Sequence, residues 1–262
     1  MNKYEKRFCL FLDILGFQEL VTKSFQRGEE INRLYNGLQT IHKAFHIYSH
    51  ALHHTSKMVT QFSDSIVVSY KMEEQDSVYN IIHDAYMLQL ELIEHRMLIR
   101  GAITCGELFH DGDLVFGPAL LEAVNLEKYA MYPRIILDKE IINMGGRFSG
   151  YHDTKEDWLS SLEYFIQKDF DEMFFLNYFK PDADDFDYRW SSLCNHLISL
   201  RDLIQDSLNK PSTPGVRLKY QWMKNKFNDV ILNLKGNNYA SLYDERIPTH
   251  SRDRFENIEI IE

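Results

Sequence analysis

An aspartate interrupts the first apolar run of the chain. Phe8 to Leu15 is rich in strand formers, carries Asp13 within it, and ends at Gly16. Glycine there permits a sharp turn, and a helix can begin near Phe17. An unpaired carboxylate among apolar neighbours is costly, so Asp13 needs a partner. The run is therefore read as a strand whose far end carries a polar function.

The periodicity after it alternates. Ile31, Leu34, Leu38, Ile41 and Phe45 recur at helical spacing between Glu29 and about His50. Lys57 to Phe62 and Ser65 to Tyr70 read as two strands joined by a tight turn at Ser63-Asp64. Helical spacing returns over 76–96. Met97 to Cys105 reads as a strand, His110 to Asp113 as a turn, and Leu114 to Phe116 as a short strand. Pro118 suits a first helical turn, and that helix runs to about Ala130. Arg134 to Asp138 closes the series as a strand. This order predicts an α+β sandwich of helices on a mainly antiparallel sheet.

The composition changes after about residue 140. Gly145-Gly146 and the polar stretch to Asp157 suggest a loop, and the aromatic-rich segment 158–180 suggests partial helix. Asp182-Ala183-Asp184-Asp185 suggests a solvated loop. Helices are expected over 190–208 and 217–234, with a polar tail after Asn237. Two domains follow: 1–140, and a mostly helical extension over 141–262.

Lys plus Arg number 29 against 39 Asp plus Glu in 262 residues, a net charge of −10. That balance argues against sequence-independent binding to nucleic acid. It permits a nucleoside triphosphate whose phosphates are neutralised by metal ions. Cys9, Cys105 and Cys194 are widely spaced in apolar runs, as for buried thiols in a reducing compartment. No secretory signal is evident, since Glu5 dilutes the basic start and Asp13 breaks the apolar run. No stretch has the length of a membrane span. A cytoplasmic protein without a membrane partner is expected.

Asp64 lies in the turn between two strands, within Gln61-Phe62-Ser63-Asp64-Ser65-Ile66. Singly, Asp13 could be a helix cap and Asp64 an ordinary turn residue. If their strands are neighbours, the two carboxylates converge at one end of the sheet. A few hard oxygens, completed by water and phosphate, suit Mg²⁺ or Mn²⁺. Gly16 is placed for close approach of backbone to a phosphate.

In this order, Phe11-Leu12-Asp13-Ile14-Leu15-Gly16-Phe17, Phe62-Ser63-Asp64-Ser65-Ile66 and Arg100-Gly101-Ala102-Ile103-Thr104-Cys105-Gly106 are followed by three further segments. These are Val115-Phe116-Gly117-Pro118-Ala119-Leu120, Leu126-Glu127 and Tyr132-Pro133-Arg134-Ile135. Residues 8 to about 140 thereby resemble the class III nucleotide cyclase homology domain, a ferredoxin-like sandwich. Within it they are most similar to the pyrimidine cyclases of bacterial Pycsar anti-phage systems. The resemblance implies that Asp13 and Asp64 bind two divalent ions, Mn²⁺ or Mg²⁺, with the Ile14 carbonyl as a further ligand. It implies attack of a ribose 3′-oxygen on the α-phosphorus with loss of pyrophosphate. The amides of Gly16 and Phe17 would meet phosphate oxygens. A homodimer is implied, because class III sites form between subunits.

The departures from that pattern concern the base and the phosphates. Purine cyclases usually carry lysine where this chain has Thr60 and aspartate where it has Leu114. Both residues read the purine, so their loss suits a smaller pyrimidine. The usual transition-state asparagine and arginine positions fall at Leu121 and Asn125. Arg100 and Arg134 are the candidates to replace them, since guanidinium forks suit phosphate oxygens. Arg217, Lys219 and Lys224 are weaker candidates. The resulting expectation is a cyclase converting UTP, or alternatively CTP, to the 3′,5′-cyclic monophosphate, a messenger read by a separate effector. A cyclase-homology module that binds nucleotide without turnover is the competing expectation. A polymerase-palm nucleotidyltransferase shares the two-carboxylate logic, but the chain has no basic template path.

His42, His46, His50 and His54 recur every fourth residue. With no acidic or cysteine partner, they suggest a solvated or dimer-facing stripe more than a zinc site. His110 is expected in a turn. Tyr220, Trp222 and Phe227 have the spacing of a packed helix face.

Overall fold

β1 (Glu5–Ile14) is the strand on which the sheet is built. It pairs antiparallel with β3 (Ser65–Lys71) on one side and β4 (Ile99–Asp111) on the other. Both its faces are covered, so Arg7 to Leu10 are buried without alternation. The computed structural model describes residues 3–46, 56–144, 155–182, 184–186, 190–236 and 249–262. His50 and His54 of the histidine stripe fall outside these, as do Gly145-Gly146 and most of the polar stretch after them.

β2 (Met58–Phe62) is joined to β3 by the two-residue turn Ser63-Asp64. β5 (Leu114–Phe116) folds back on β4. β6 (Ile135–Leu137) pairs parallel with β4, and β7 (Ile166–Lys168) and β8 (Phe174–Leu176) extend that edge antiparallel. The order is β2-β3-β1-β4-β6-β8-β7, with β5 paired to β4 off this path. The helices are α1 (Phe17–Gln26), α2 (Gly28–His46), α3 (Ser77–Glu94), α4 (Pro118–Ala130), α5 (Lys139–Met144), α6 (Lys155–Phe165), α7 (Trp190–Leu208), α8 (Pro214–Gly236) and α9 (Thr249–Glu256). The first part of the chain is thus the expected α+β arrangement, a mainly antiparallel sheet flanked by helices.

The register assigns the faces, because residues directly opposite one another in an antiparallel pair project to the same side. Cys9 opposes Ser69 and Thr104; Phe11 opposes Val67 and Ala102. On this side α4 packs through Ala119 and Ala123 against Cys9, Val67 and Leu108. The small side chains let the helix approach closely. Gly117 helps: its φ of 145° is open to glycine, and a Cβ there would lie 2.8 Å from the Glu107 carbonyl oxygen. α3 carries eleven buried residues, including Val78, Ile81, Ala85 and Leu92.

Two expectations change. The segment 158–180 is helical only to Phe165 and then forms β7 and β8. Asp169-Phe170-Asp171-Glu172 makes the connecting turn, with the Asp169 amide donating to the Met173 carbonyl at 2.8 Å and Glu172 at φ 68°. His110 is not in a turn: β4 runs on to Asp111, and His110 is a buried strand residue. The reason is that its ring has partners inside the fold, described below.

The chain divides into two units, Met1–Asn177 and Tyr178–Glu262. The sheet of the first therefore reaches beyond residue 140. Among the described residues, the second holds α7, α8 and α9 with a short 3-10 turn, Asp184–Phe186. Within it Trp222, Met223, Phe227 and Ile231 form the buried stripe of α8, Phe179 packs edge-on to Trp222, and Tyr220 is half-buried. No helix among the described residues is long and apolar enough to cross a membrane.

Candidate active site

Asp13 stands opposite Ser65 on β3 and Arg100 on β4. It lies at the open end of β1, where its side chain is 25% exposed. The apolar run thus does not bury the carboxylate, which resolves the cost that its position suggests. Asp64 reaches the same end through the backbone. The Ile14 amide donates to the Asp64 carbonyl oxygen at 3.0 Å. The hairpin turn and the last residues of β1 are therefore tied together, and Asp13 and Asp64 are neighbours across strands.

The turn that carries Asp64 is conformationally special. Ser63 has φ 54°, in the left-handed region that L-residues other than asparagine and aspartate seldom adopt. A two-residue hairpin demands this, because its twist must match that of the flanking strands. Gly16 is also left-handed, at φ 71° and ψ 22°, and precedes α1. The first intrahelical bond there runs from Leu20 to the Gly16 carbonyl. The amides of Phe17, Gln18 and Glu19 hence have no acceptor within the helix. They are oriented as an anion site would require, and exposed Gly16 presents no side chain in the way.

Arg100 reaches Asp13 with a terminal nitrogen, 3.5 Å from Oδ2. Its Nε is ion-paired with Glu127 on α4. Glu127 is 5% exposed and sits on the buried stripe Ala119, Ala123, Glu127, Ala130. The sequence signal for it was a carboxylate in register with three alanines on a core-facing helix stripe. Glu127 belongs to the Leu126-Glu127 segment, and its partner is decided by the fold.

Arg134 goes elsewhere. Its side chain is fully buried, its Nε donates to the Ala130 carbonyl at 2.9 Å, and its fork is paired with Asp169 and Asp171 in the β7–β8 turn. The Arg134 guanidinium beside Asp171 holds that carboxyl below the usual range against the opposing effect of burial. A cation enclosed this way secures the edge of the sheet and is not presented to a phosphate. The sequence could not foresee this, since β7, β8 and their acidic turn were not expected.

Thr60 is likewise engaged. Its hydroxyl bonds to His110 Nε2 at 2.8 Å and donates to the Gly112 carbonyl. His110 Nδ1 lies 2.8 Å from the Ser69 hydroxyl, and Arg7 Nε donates to that hydroxyl at 2.8 Å. Arginine can only donate and a carbonyl can only accept. The chain of bonds is therefore directional, from Arg7 through Ser69, His110 and Thr60 to Gly112, and the His110 proton sits on Nε2. Burial, with Arg7 nearby, pushes the His110 pKa down to about 4. Arg217, Lys219 and Lys224 lie on α8 in the second unit. Cys9, Cys105 and Cys194 are free thiols, and burial pushes Cys9 up to about 12.

The donor set fits a hard divalent ion. Two carboxylates and backbone oxygens leave most of an octahedral shell to water and phosphate, the arrangement Mg²⁺ and Mn²⁺ favour. Among the described residues, no three or more His, Cys, Asp or Glu side chains gather as a metal cluster. A closed four-ligand zinc centre would need such a cluster.

No protein-family model and no curated protein matches the chain. Among solved structures, the adenylyl cyclase CyaB from P. aeruginosa is 16% identical, with a TM-score of 0.45, over 55% of this chain and 82% of that one. A bacterial light-regulated adenylyl cyclase is 15% identical, with a TM-score of 0.42, over 54% of this chain and 45% of that one. An adenylate/guanylate cyclase/hydrolase from Silicibacter pomeroyi is 15% identical, with a TM-score of 0.39, over 68% and 99%. Likeness at this level decides neither substrate nor activity.

Proposed function

We propose that the chain is a divalent-metal-dependent nucleotide cyclase of the class III type. One observation carries the reading. The Ile14-to-Asp64 backbone bond, with the Asp13–Ser65 pairing, brings two carboxylates to the strand end from which a free helix N-terminus departs. The motif resemblance agrees with that arrangement. Asp13, Asp64 and the Ile14 carbonyl would hold Mn²⁺ or Mg²⁺. The bound ions would supply Lewis acidity at the ribose 3′-oxygen and neutralise the triphosphate. Gly16 and Phe17 would meet phosphate oxygens with backbone amides. Arg100 is the cation we assign to the phosphates, and Arg134 is given no such role. The chemistry is assigned to residues 1–140; of the expected extension 141–262, β7 and β8 complete the sheet of the first unit and the rest is mostly helical among the described residues.

The finer reading is a uridylate cyclase making cyclic UMP, with cytidylate cyclase second. It rests on the absence of purine-reading residues at Thr60 and Leu114 and on the resemblance to Pycsar cyclases, which also supplies the defence role and the separate effector. Thr60, bonded inside its own subunit, would shape the base site more than read the base. A homodimer belongs to the same reading. Exposed Leu114, Phe116 and Leu121 on β5 and α4 suit a surface that a second copy covers.

The test is incubation of the full chain with Mn²⁺ and each of the four ribonucleoside triphosphates, with chromatographic detection of cyclic product. Cyclic UMP is the expected product. Absence of any cyclic nucleotide would overturn the enzyme. The second reading, binding without turnover, is favoured by Arg100 being paired already with both Asp13 and Glu127. Metal-dependent nucleotide binding with no product would select it.

A further inference from the structure

Glu127 and Arg100 make an ion pair with unusual dependence. Arg100 Nε and Glu127 Oε1 are both buried and ion-paired, and among the described residues neither atom makes a hydrogen bond. Each atom thus relies on the other for charge compensation. Removing one partner of such a pair leaves an uncompensated charge inside the protein. The terminal end of the same guanidinium, on a side chain that is 23% exposed, leans on Asp13 at 3.5 Å. That separation is long for an ion pair in which hydrogen bonding is strong. Arg100 is therefore held at Nε by charge alone and at its tip by one long hydrogen bond.

We propose that Glu127 is a positioning residue that holds Arg100 by its Nε, and that the Arg100 tip and a divalent cation compete for the Asp13 carboxylate. The proposal rests on the reading of Asp13 as a metal ligand. Two cations next to one carboxylate repel one another, so metal binding favours turning the Arg100 tip away from Asp13. An arginine held at Nε keeps its terminal fork directed toward the site, where a phosphate oxygen is the natural acceptor. Glu127 then does two things. It lowers the effective charge that Arg100 presents to the metal, and it keeps the guanidinium within reach of the triphosphate. The buried placement on α4, among alanines that allow close packing, fixes where the Glu127 charge sits.

The geometry predicts opposite signs for two substitutions. In Glu127→Gln, Arg100 loses its counter-charge and moves onto Asp13, so Mn²⁺ affinity should fall about fivefold. In the double variant Arg100→Gln with Glu127→Gln, the competitor is gone and no buried charge is left unpaired, so Mn²⁺ affinity should rise by about the same factor. Glu127→Asp should restore affinity part of the way. The readout is the electron paramagnetic resonance signal of free Mn²⁺ titrated with the full chain, without nucleotide. Thermal unfolding identifies variants that do not fold. A purely structural role for the pair would lower affinity in every variant, or change it in none, and either result overturns the proposal. If Glu127→Gln fails to fold, unchanged or reduced affinity in the double variant still overturns it. Asp13→Asn separates the two levels of the argument. If it abolishes Mn²⁺ binding while the pair variants match the wild type, only the competition is wrong. If it leaves Mn²⁺ binding intact, the metal-site reading falls, and this inference with it.

Discussion

The two ends of β1 carry polar residues on the same face of the sheet, and they are built in opposite ways. At one end Arg7, Ser69, His110 and Thr60 are buried and joined by bonds of 2.8 Å in a chain whose direction is determined. At the other end Asp13 is part-exposed, its contact with Arg100 is 3.5 Å, and the adjoining turn holds Ser63 at a positive φ. Cys9, Phe11 and Val67 lie between the two ends on the same face. A satisfied buried network fixes geometry, because any lost bond leaves a desolvated group without a partner. A part-exposed carboxylate beside a turn with a left-handed residue is open to water in a way that the closed end is not. The difference separates enclosed from solvent-facing polarity at the two ends of one strand.

The sharpest way to break this comparison is at the open end. Asp64→Ala should lower turnover about a thousandfold or more while leaving the melting temperature unchanged. Product formation with each triphosphate, paired with calorimetry, checks both halves. Retained turnover would mean that the carboxylates are turn residues and nothing more.

The closed end should respond to acid. The folded pKa of His110, about 4, lies below the ordinary 6.5. The unfolded chain therefore binds that proton more readily between the two values. The stabilisation from His110 is complete above 6.5 and is lost as pH falls toward 4, an effect of about 3 kcal/mol. His196, buried in the second unit with its Nε2 on the Tyr178 carbonyl, is also pushed down to about 4 and adds the same sign there. Urea denaturation at a series of pH values between 4 and 7 measures the slope. His110→Gln should flatten the contribution from the first unit, and an unchanged slope would show that the ring is not held neutral.

Ser69→Ala cuts the same network at its middle and leaves Arg7 Nε and His110 Nδ1 without their hydroxyl. A loss of about 2 kcal/mol in unfolding free energy is expected, with Mn²⁺ affinity unaltered. A change in metal affinity would mean that the two ends are coupled. The smallest effect is at the turn. Ser63→Gly should raise stability by about 1 kcal/mol, since it relieves a left-handed φ. A loss of stability instead would show that the serine side chain contributes more than its backbone costs.

Much of the frame was legible because it is local. The apolar run before Gly16, the helical spacing of α2 and α3, the Ser63-Asp64 turn and Pro118 at the start of α4 each declare an element within a few residues. β7 and β8 were missed for the complementary reason. Each is three residues long, too short for a period to show; β8 exists because Phe174 and Phe175 pair with Leu137 and Ile136, and β7 because it pairs in turn with β8. Arg100 and Arg134 looked interchangeable, each standing beside a strand in a motif. The fold gives one a part-exposed tip beside Asp13 and encloses the other between Asp169 and Asp171.

The sequence by itself determined the order of elements and the two aspartates, because periodicity, turn chemistry and a carboxylate in an apolar strand are properties of neighbouring residues. Only the tertiary structure decided what each polar side chain does. Glu127 meets Arg100, Thr60 meets His110 and Arg7 meets Ser69 across strands and helices far apart in the chain. Such pairs are selected by register and by the depth at which a side chain loses water, and neither leaves a local mark. The aspartate that interrupts the first apolar run was visible from the start. Its strand end, its exposure and the arginine beside it are consequences of packing.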